Sequence, residues 1–203
     1  MRIAIEGMDG VGKTTLAKKL VEILNYDYIE KPFKFLFDGM NLNDSDLKRI
    51  EWKLYETEDE ALITLFYGIG LLYGTKDNCS ENVIYDRHLV SNYYWHGTYE
   101  TAPLHNELIK LCGVPDLTIL LKASVHTRME RICKRDSSDK DLSNCAMYED
   151  GYDKMENFLK ANYFNYIVID TEDLLPDEVV DIAIQNIFEM NEKKLFKERK
   201  TAI

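Results

Sequence analysis

The sequence predicts an α/β protein, a three-layer sandwich built on a mostly parallel five-stranded sheet. Three observations predict it. Short apolar runs bounded by turn residues alternate along the chain with stretches of helical period. The first run, Ile3-Ala4-Ile5, is apolar without interruption, as in a strand covered on both faces. No repeat, low-complexity tract or flexible linker divides residues 1–203, so a single domain is expected.

Arg2 to Ile5 is the first strand, and a glycine-rich turn, Gly7 to Gly12, follows it. A helix from about Lys13 to Leu24 carries Leu16, Leu20, Ile23 and Leu24 on one stripe. Tyr26 to Ile29 is the second strand, stopped before Pro32 because proline disfavours helix at the residue preceding it. Phe33 to Asn43 reads as a loop with aromatic anchors. Asp44 or Ser45 opens a helix with Leu47, Ile50, Leu54 and Tyr55. Thr57 and Glu60 have capping-box spacing, ahead of Leu62, Leu65, Phe66, Ile69 and Leu72 at helical spacing. Gly68 and Gly70 each weaken that helix by about 1 kcal/mol. Gly74 is placed as its C-cap.

Asn82 to Tyr85 is the third strand, ended by Asp86. Pro103 opens a helix with Leu104, Leu108 and Leu111, closed by Gly113. Leu117 to Leu121 is the fourth strand, followed by a helix from about Val125 to Lys134. Asp136 to Asn144 is polar and loop-like, and a helix spans about Glu149 to Ala161. Tyr166 to Asp170 is the fifth strand. Pro176 starts the last helix, with Asp177 and Glu178 in its first turn and Val180, Ala183, Ile184, Ile187 and Phe188 as its face. The tail beyond Lys193 is charged and is expected to fray.

The net charge of −11 and pI near 4.9 argue against a general nucleic-acid binder, which needs a basic surface. No run of about 18 apolar residues supports a membrane span. Glu6 stands where a signal peptide needs apolar length. Cys79, Cys112, Cys133 and Cys145 are scattered, with no metal-binding or disulfide pattern. A cytoplasmic location is expected.

Chemistry enters with Gly7-Met8-Asp9-Gly10-Val11-Gly12-Lys13-Thr14, a full match to G-x-x-x-x-G-K-[ST] between an apolar strand and a helix. Glycines let the backbone curl so that its N–H groups converge on anionic oxygens, and the helix N-terminus adds its positive end. Lys13 would reach the β- and γ-phosphates of ATP, and the Thr14 hydroxyl would hold Mg²⁺. The fold is therefore expected to be of P-loop NTPase type. At the exit of the third strand, Asp86 could hold Mg²⁺ through water and Arg87 could clamp a phosphate. Ser91, Tyr93, Tyr94, Trp95 and His96 follow as a polar-aromatic patch suited to a base or sugar. Arg128, Arg131, Lys134 and Arg135 form a basic helix leading into a lid at about residues 136–148. His88, His105 and His126 show no ligand pattern and are placed at the surface.

These segments resemble the thymidylate kinase family of nucleoside monophosphate kinases, from Ile3 to about Ile187. Ile5-Glu6-Gly7-Met8-Asp9-Gly10-Val11-Gly12-Lys13-Thr14-Thr15 looks like its phosphate loop. Asp86, Arg87, Ser91 and Gly97 match its D-R-Y-x-x-S-x-x-A-Y-Q-G segment, Pro115-Asp116-Leu117 opens a similar strand, and Arg131 to Arg135 looks like the entry to its lid. The resemblance implies an ATP- and Mg²⁺-dependent phosphotransferase acting on a nucleotide. Residues 7–15 (Gly7 to Thr15) and Arg131 would hold ATP, with Thr14 and Asp86 at the metal. Lys13, Asp9, Arg87 and Arg135 would serve catalysis. Arg87, Ser91, Phe66, Trp95 and His96 would hold the acceptor, Phe66 by stacking on its base. A homodimer is implied, through apolar faces of residues 44–73.

His88, Tyr94, Trp95 and His96 depart from that D-R-Y segment, and three departures from the family pattern matter. Gly70 replaces an arginine that helps read the base, His96 stands for a glutamine, and Glu30-Lys31-Pro32-Phe33 replaces R-E-P-G-G. Glu30 also resembles the acid with which deoxyribonucleoside kinases accept the proton of a 5′-hydroxyl, so a deoxynucleoside kinase is the nearest alternative, with Glu30 as catalytic base and substrate ligand. A P-loop regulatory ATPase or binding protein is the alternative of another class. It is disfavoured by the absence of a guanine-reading N-K-x-D segment.

Overall fold

The computed structural model describes residues 1–76, 81–136, 142 and 151–201. In chain order these form β1 (Arg2–Gly7), α1 (Lys13–Leu24), β2 (Asp27–Glu30), α2 (Pro32–Leu36), α3 (Asp44–Tyr55) and α4 (Glu60–Lys76). There follow β3 (Val83–Asp86), α5 (Leu89–His96), α6 (Ala102–Cys112), β4 (Leu117–Lys122), α7 (Val125–Arg135), α8 (Gly151–Ala161), β5 (Tyr166–Asp170) and α9 (Pro176–Thr201).

The five strands run parallel in the order β2-β3-β1-β4-β5. β1 is central, and Ile3, Ala4 and Ile5 are fully buried because helices cover both faces. α1 packs on β1, β2, β3 and α9, while α5 packs on β1 and gathers α4, α6 and α8 around it. The register pairs Glu30 with Asp86, Ile5 with Asp86, and Gly7 with Leu121. The carboxyl ends of four strands therefore open at one edge, where the strand order switches from β3 to β4 on either side of β1.

Several local expectations are corrected. The loop expected at Phe33–Asn43 begins inside α2, where Phe33 is buried and meets Phe37, Phe66 and Tyr67 at centroid distances of 5.3–5.4 Å. Thr57 does not cap α4: its hydroxyl donates to Leu54 O at 2.6 Å, and Asp59 Oδ1 accepts from Leu62 N at 3.0 Å instead. The buried residues of α4 include Ile63, Thr64, Gly68, Gly70, Leu71 and Gly74, whereas Leu62, Leu65 and Ile69 are exposed. The glycines are packing positions: a Cβ on Gly68 would lie 2.7 Å from Leu108, and Gly74 sits inside the helix against Ile29. Ile23 and Phe188 are likewise exposed, while His88 and His105 are buried. The patch at Ser91–His96 is a helix. Nearly all of the expected lid, Cys79 and Cys145 lie outside the described residues.

Candidate active site

β1 ends on Gly7 and α1 starts at Lys13, so residues 8–12 must reverse the chain within one loop. Gly7, Gly10 and Gly12 have φ of 138°, 85° and 98°, a region costly for residues with a Cβ. At Gly10 a Cβ would also lie 2.6 Å from Arg128 O, so the loop rests directly on α7. Gly12 caps α1 without a side chain, leaving the first amides of the helix directed at the loop.

Lys13 is 6% exposed; its Nζ donates to Met8 O at 2.8 Å and stands 3.8 Å from Asp9 Oδ1. Burial, and then the charge of Arg87, push this ammonium down to about 8, against the pull of Asp9 and Asp86. Arg87 pairs with Asp9 through Nη2 and donates through Nη1 to Ser91 Oγ at 3.2 Å. Burial would raise the Asp9 carboxyl, but Arg87 and Lys13 prevail and hold it at about 2. Thr14 Oγ1 donates to Asp86 Oδ2 at 2.5 Å, and Tyr28 OH donates to the same oxygen at 3.4 Å. Burial and Asp86 push the Tyr28 phenol up, so it stays a donor.

Sequence reasoning assigned no role to Glu6. It is fully buried, and its Oε1 accepts from the amides of His88 at 2.8 Å, Val90 at 3.1 Å and Ser91 at 3.3 Å. Its Oε2 accepts from the Ser91 hydroxyl. One carboxylate thus caps α5 and fixes Ser91 beside Arg87. An acid inside an otherwise apolar central strand was the signal for it.

Two cavities flank the loop. One of about 630 Å³ is lined by residues of 9–16, Asp86, Arg131, Arg135 and Thr171, with Leu174 and Val179 as apolar lining. Arg131 is anchored there by donating to Thr171 Oγ1 at 2.9 Å and Thr171 O at 2.5 Å. The other, of about 500 Å³, is lined by Ser91, Trp95, His96, Phe33, Glu51 and Tyr67, among others. Asp9, Lys31 and Arg87 line both and form their junction. Arg128, grouped with Arg131 on sequence, is instead buried under the loop.

The structure does not bring two expected residues to the site. Phe66 lines neither cavity; it packs on Phe33 and Tyr67, and Tyr67, one residue on, takes the cavity wall. Glu30 is exposed and lines neither cavity. Lys31, inserted before Pro32, makes the turn out of β2 with φ 40° and stands at the junction in its place.

The chain matches the thymidylate kinase family model over residues 5–182. It belongs to the thymidylate kinase family. A "Probable thymidylate kinase" of Metallosphaera sedula is 32% identical over 83% of each chain. A cytidylate kinase of Sulfolobus acidocaldarius is 25% identical over 94% of this chain and 96% of its own. The solved deoxyadenosine kinase from M. mycoides with bound dATP superposes with a TM-score of 0.62 over 92% of this chain and 99% of that chain, at 22% identity, and shares the fold. This family member is accordingly a nucleotide kinase, a phosphotransferase built on a P-loop α/β sandwich.

Proposed function

We propose that this protein transfers the γ-phosphoryl group of Mg²⁺-ATP to the phosphate of a nucleoside monophosphate. The observation that carries this reading is the junction of the two cavities, where Lys31 and Arg87 flank Asp9 while Glu30 lies off both cavities. A phosphate acceptor is already an anionic nucleophile and needs cations to position it. A 5′-hydroxyl needs a base. The junction supplies cations.

ATP would occupy the larger cavity, its phosphates on the amides of residues 8–14 and on Lys13, with Arg131, Leu174 and Val179 about its adenine. Arg135 would face the transferring group, and Arg87, held by Asp9 and Ser91, would clamp the acceptor phosphate. Thr14 and Asp86 put two hard oxygens together, which fits Mg²⁺. The ion, when bound, would neutralise charge on the phosphate oxygens. Among the described residues no cluster of three His, Cys, Asp or Glu offers a complete cage, so water and phosphate would complete its shell. The homodimer implied by resemblance would use the exposed Trp52, Leu62, Leu65 and Ile69, and light scattering tests it.

A coupled assay of ADP release tests the reading, with monophosphates and the matching nucleosides as acceptors. Turnover of monophosphates is expected, with Lys31→Ala losing roughly 100-fold in kcat/KM and Glu30→Gln changing it by less than about threefold. Turnover confined to unphosphorylated nucleosides, or crippling by Glu30→Gln, overturns it.

A further inference from the structure

One wall of the smaller cavity is not used by phosphate chemistry. Tyr67 stacks on His96 with centroids 5.3 Å apart and planes 5° apart. Phe33 meets Tyr67 at an angle of 62° with centroids 5.4 Å apart, and Tyr55 lies 6.1 Å from His96. Flat aromatic walls of this kind suit a planar base.

On this wall Glu51 and His96 present acceptors whose neighbouring protons are already committed. The Tyr67 hydroxyl donates to Glu51 Oε1 at 3.2 Å, and burial pushes that phenol up, so it keeps its proton. Glu51 Oε2 makes no hydrogen bond among the described residues. His96 Nδ1 lies 3.3 Å from Glu60 Oε2, and burial pushes the ring down, which keeps it neutral at pH 7. The tautomer assigned from that contact carries its proton on Nδ1 and leaves Nε2 as an acceptor. Of the lysines lining the cavity, Lys31 stands at its junction with the larger one, Lys34 pairs with Asp44 at 3.4 Å and Lys48 is exposed to water.

We infer that the acceptor's base carries an exocyclic amino group, as cytosine and adenine do, and that the Glu51 carboxylate receives it. This rests on the proposed transfer to a monophosphate and names its base. Thymine and uracil present two carbonyl oxygens and a single N–H. Turned toward Glu51 and His96, a carbonyl meets acceptors, which leaves buried polar groups without partners. An amino group meets them with donors.

Matched acceptors test this, because CMP differs from UMP, and AMP from IMP, by amino against carbonyl and by the ring nitrogen beside it, bare in CMP and AMP and protonated in UMP and IMP. In whichever pair the enzyme uses, kcat/KM is expected to favour the amino member by roughly tenfold or more. Glu51→Gln, whose amide can serve either group, is expected to bring that ratio within about threefold. Calorimetric titration of the same pairs into the full chain reads the slot without turnover. Equal or better use and binding of the carbonyl member, or a ratio unchanged by Glu51→Gln, overturns the inference. CMP or AMP preferred in binding with no transfer to any monophosphate overturns the phosphotransfer reading alone. Uptake of none of the four overturns both.

Discussion

Replacing Lys13 with methionine should stabilise the nucleotide-free protein while disabling it. Lys13 is 6% exposed, and burial followed by Arg87 lowers its ammonium from the ordinary 10.5 to about 8. At about 1.36 kcal/mol per pH unit, that interval places roughly 3 kcal/mol against the charged form in the folded state. Methionine fills similar volume without the charge and gives up the hydrogen bond to Met8 O, worth about 1 kcal/mol. Asp9 keeps Arg87 as its partner. The net expectation at pH 7 is a gain of about 2 kcal/mol, or a Tm higher by roughly 4–8 °C for a chain of this size. Phosphoryl transfer should fall by at least about 100-fold, because the charge is absent where the phosphates would lie.

The pH dependence separates this from a mere packing gain. Between about 8 and 10.5 the unfolded chain still holds the Lys13 proton while the folded chain has released it. Wild-type stability therefore rises with pH across that window, and the advantage of Lys13→Met should close across it. Tyr28 and Tyr67, pushed up by burial, act in the opposite sense above about pH 10, but equally in both proteins, so they cancel in the difference. Urea unfolding of both proteins at pH 7, 8, 9 and 10 measures it. A methionine variant less stable than wild type at pH 7, or a difference that stays constant from pH 8 to 10, would refute the reasoning.

Asp9, held at about 2 against an ordinary 3.8, contributes stability present above pH 3.8 and lost as pH falls toward 2. Acid titration should show roughly 2 kcal/mol of loss there, absent in Asp9→Asn. Glu6→Ala strips three amides and the Ser91 hydroxyl of their acceptor and should cost roughly 3–5 kcal/mol by urea unfolding; a cost below about 1 kcal/mol would show that water replaces the carboxylate. Gly10→Ala meets both a φ of 85° and a contact of 2.6 Å with Arg128 O, so it should cost more than about 2 kcal/mol and abolish nucleotide uptake in calorimetry.

The parts legible in the sequence were those whose physics is local. The phosphate loop could be read because a curled backbone, a lysine and a hydroxyl must be contiguous there, and β1 could be read because burial on both faces leaves unbroken apolarity. The buried face of α4 could not be read, since a helix apolar around most of its circumference carries no period, and its small residues, Gly68 and Gly74, pack against Leu108 and Ile29. Phe66 and Tyr67 differ by one residue, about 100° around a helix by its 3.6-residue turn, which decides which ring reaches the cavity. Glu30 and Lys31 differ by one residue at a strand end, where the chain turns out of β2 with a φ of 40° at Lys31. Each choice was settled by packing partners distant in sequence.

Backbone strain at the junction has the same origin. Lys31 and Arg87, which line both cavities, adopt φ of 40° and 79°, a conformation that costs residues with a Cβ of order 1–3 kcal/mol. Their amides are fixed by the sheet: Lys31 N donates to Asp86 O at 3.2 Å and Arg87 N to Ile5 O at 3.0 Å. Each is the first residue past the end of its strand, so the ladder that ends β2 and β3 also turns two cations toward Asp9. Glycine at either position would relieve the strain and remove the charge together. Stability and phosphate positioning are therefore opposed at these two residues, as they are at Lys13, and the cost falls on the same edge of the sheet.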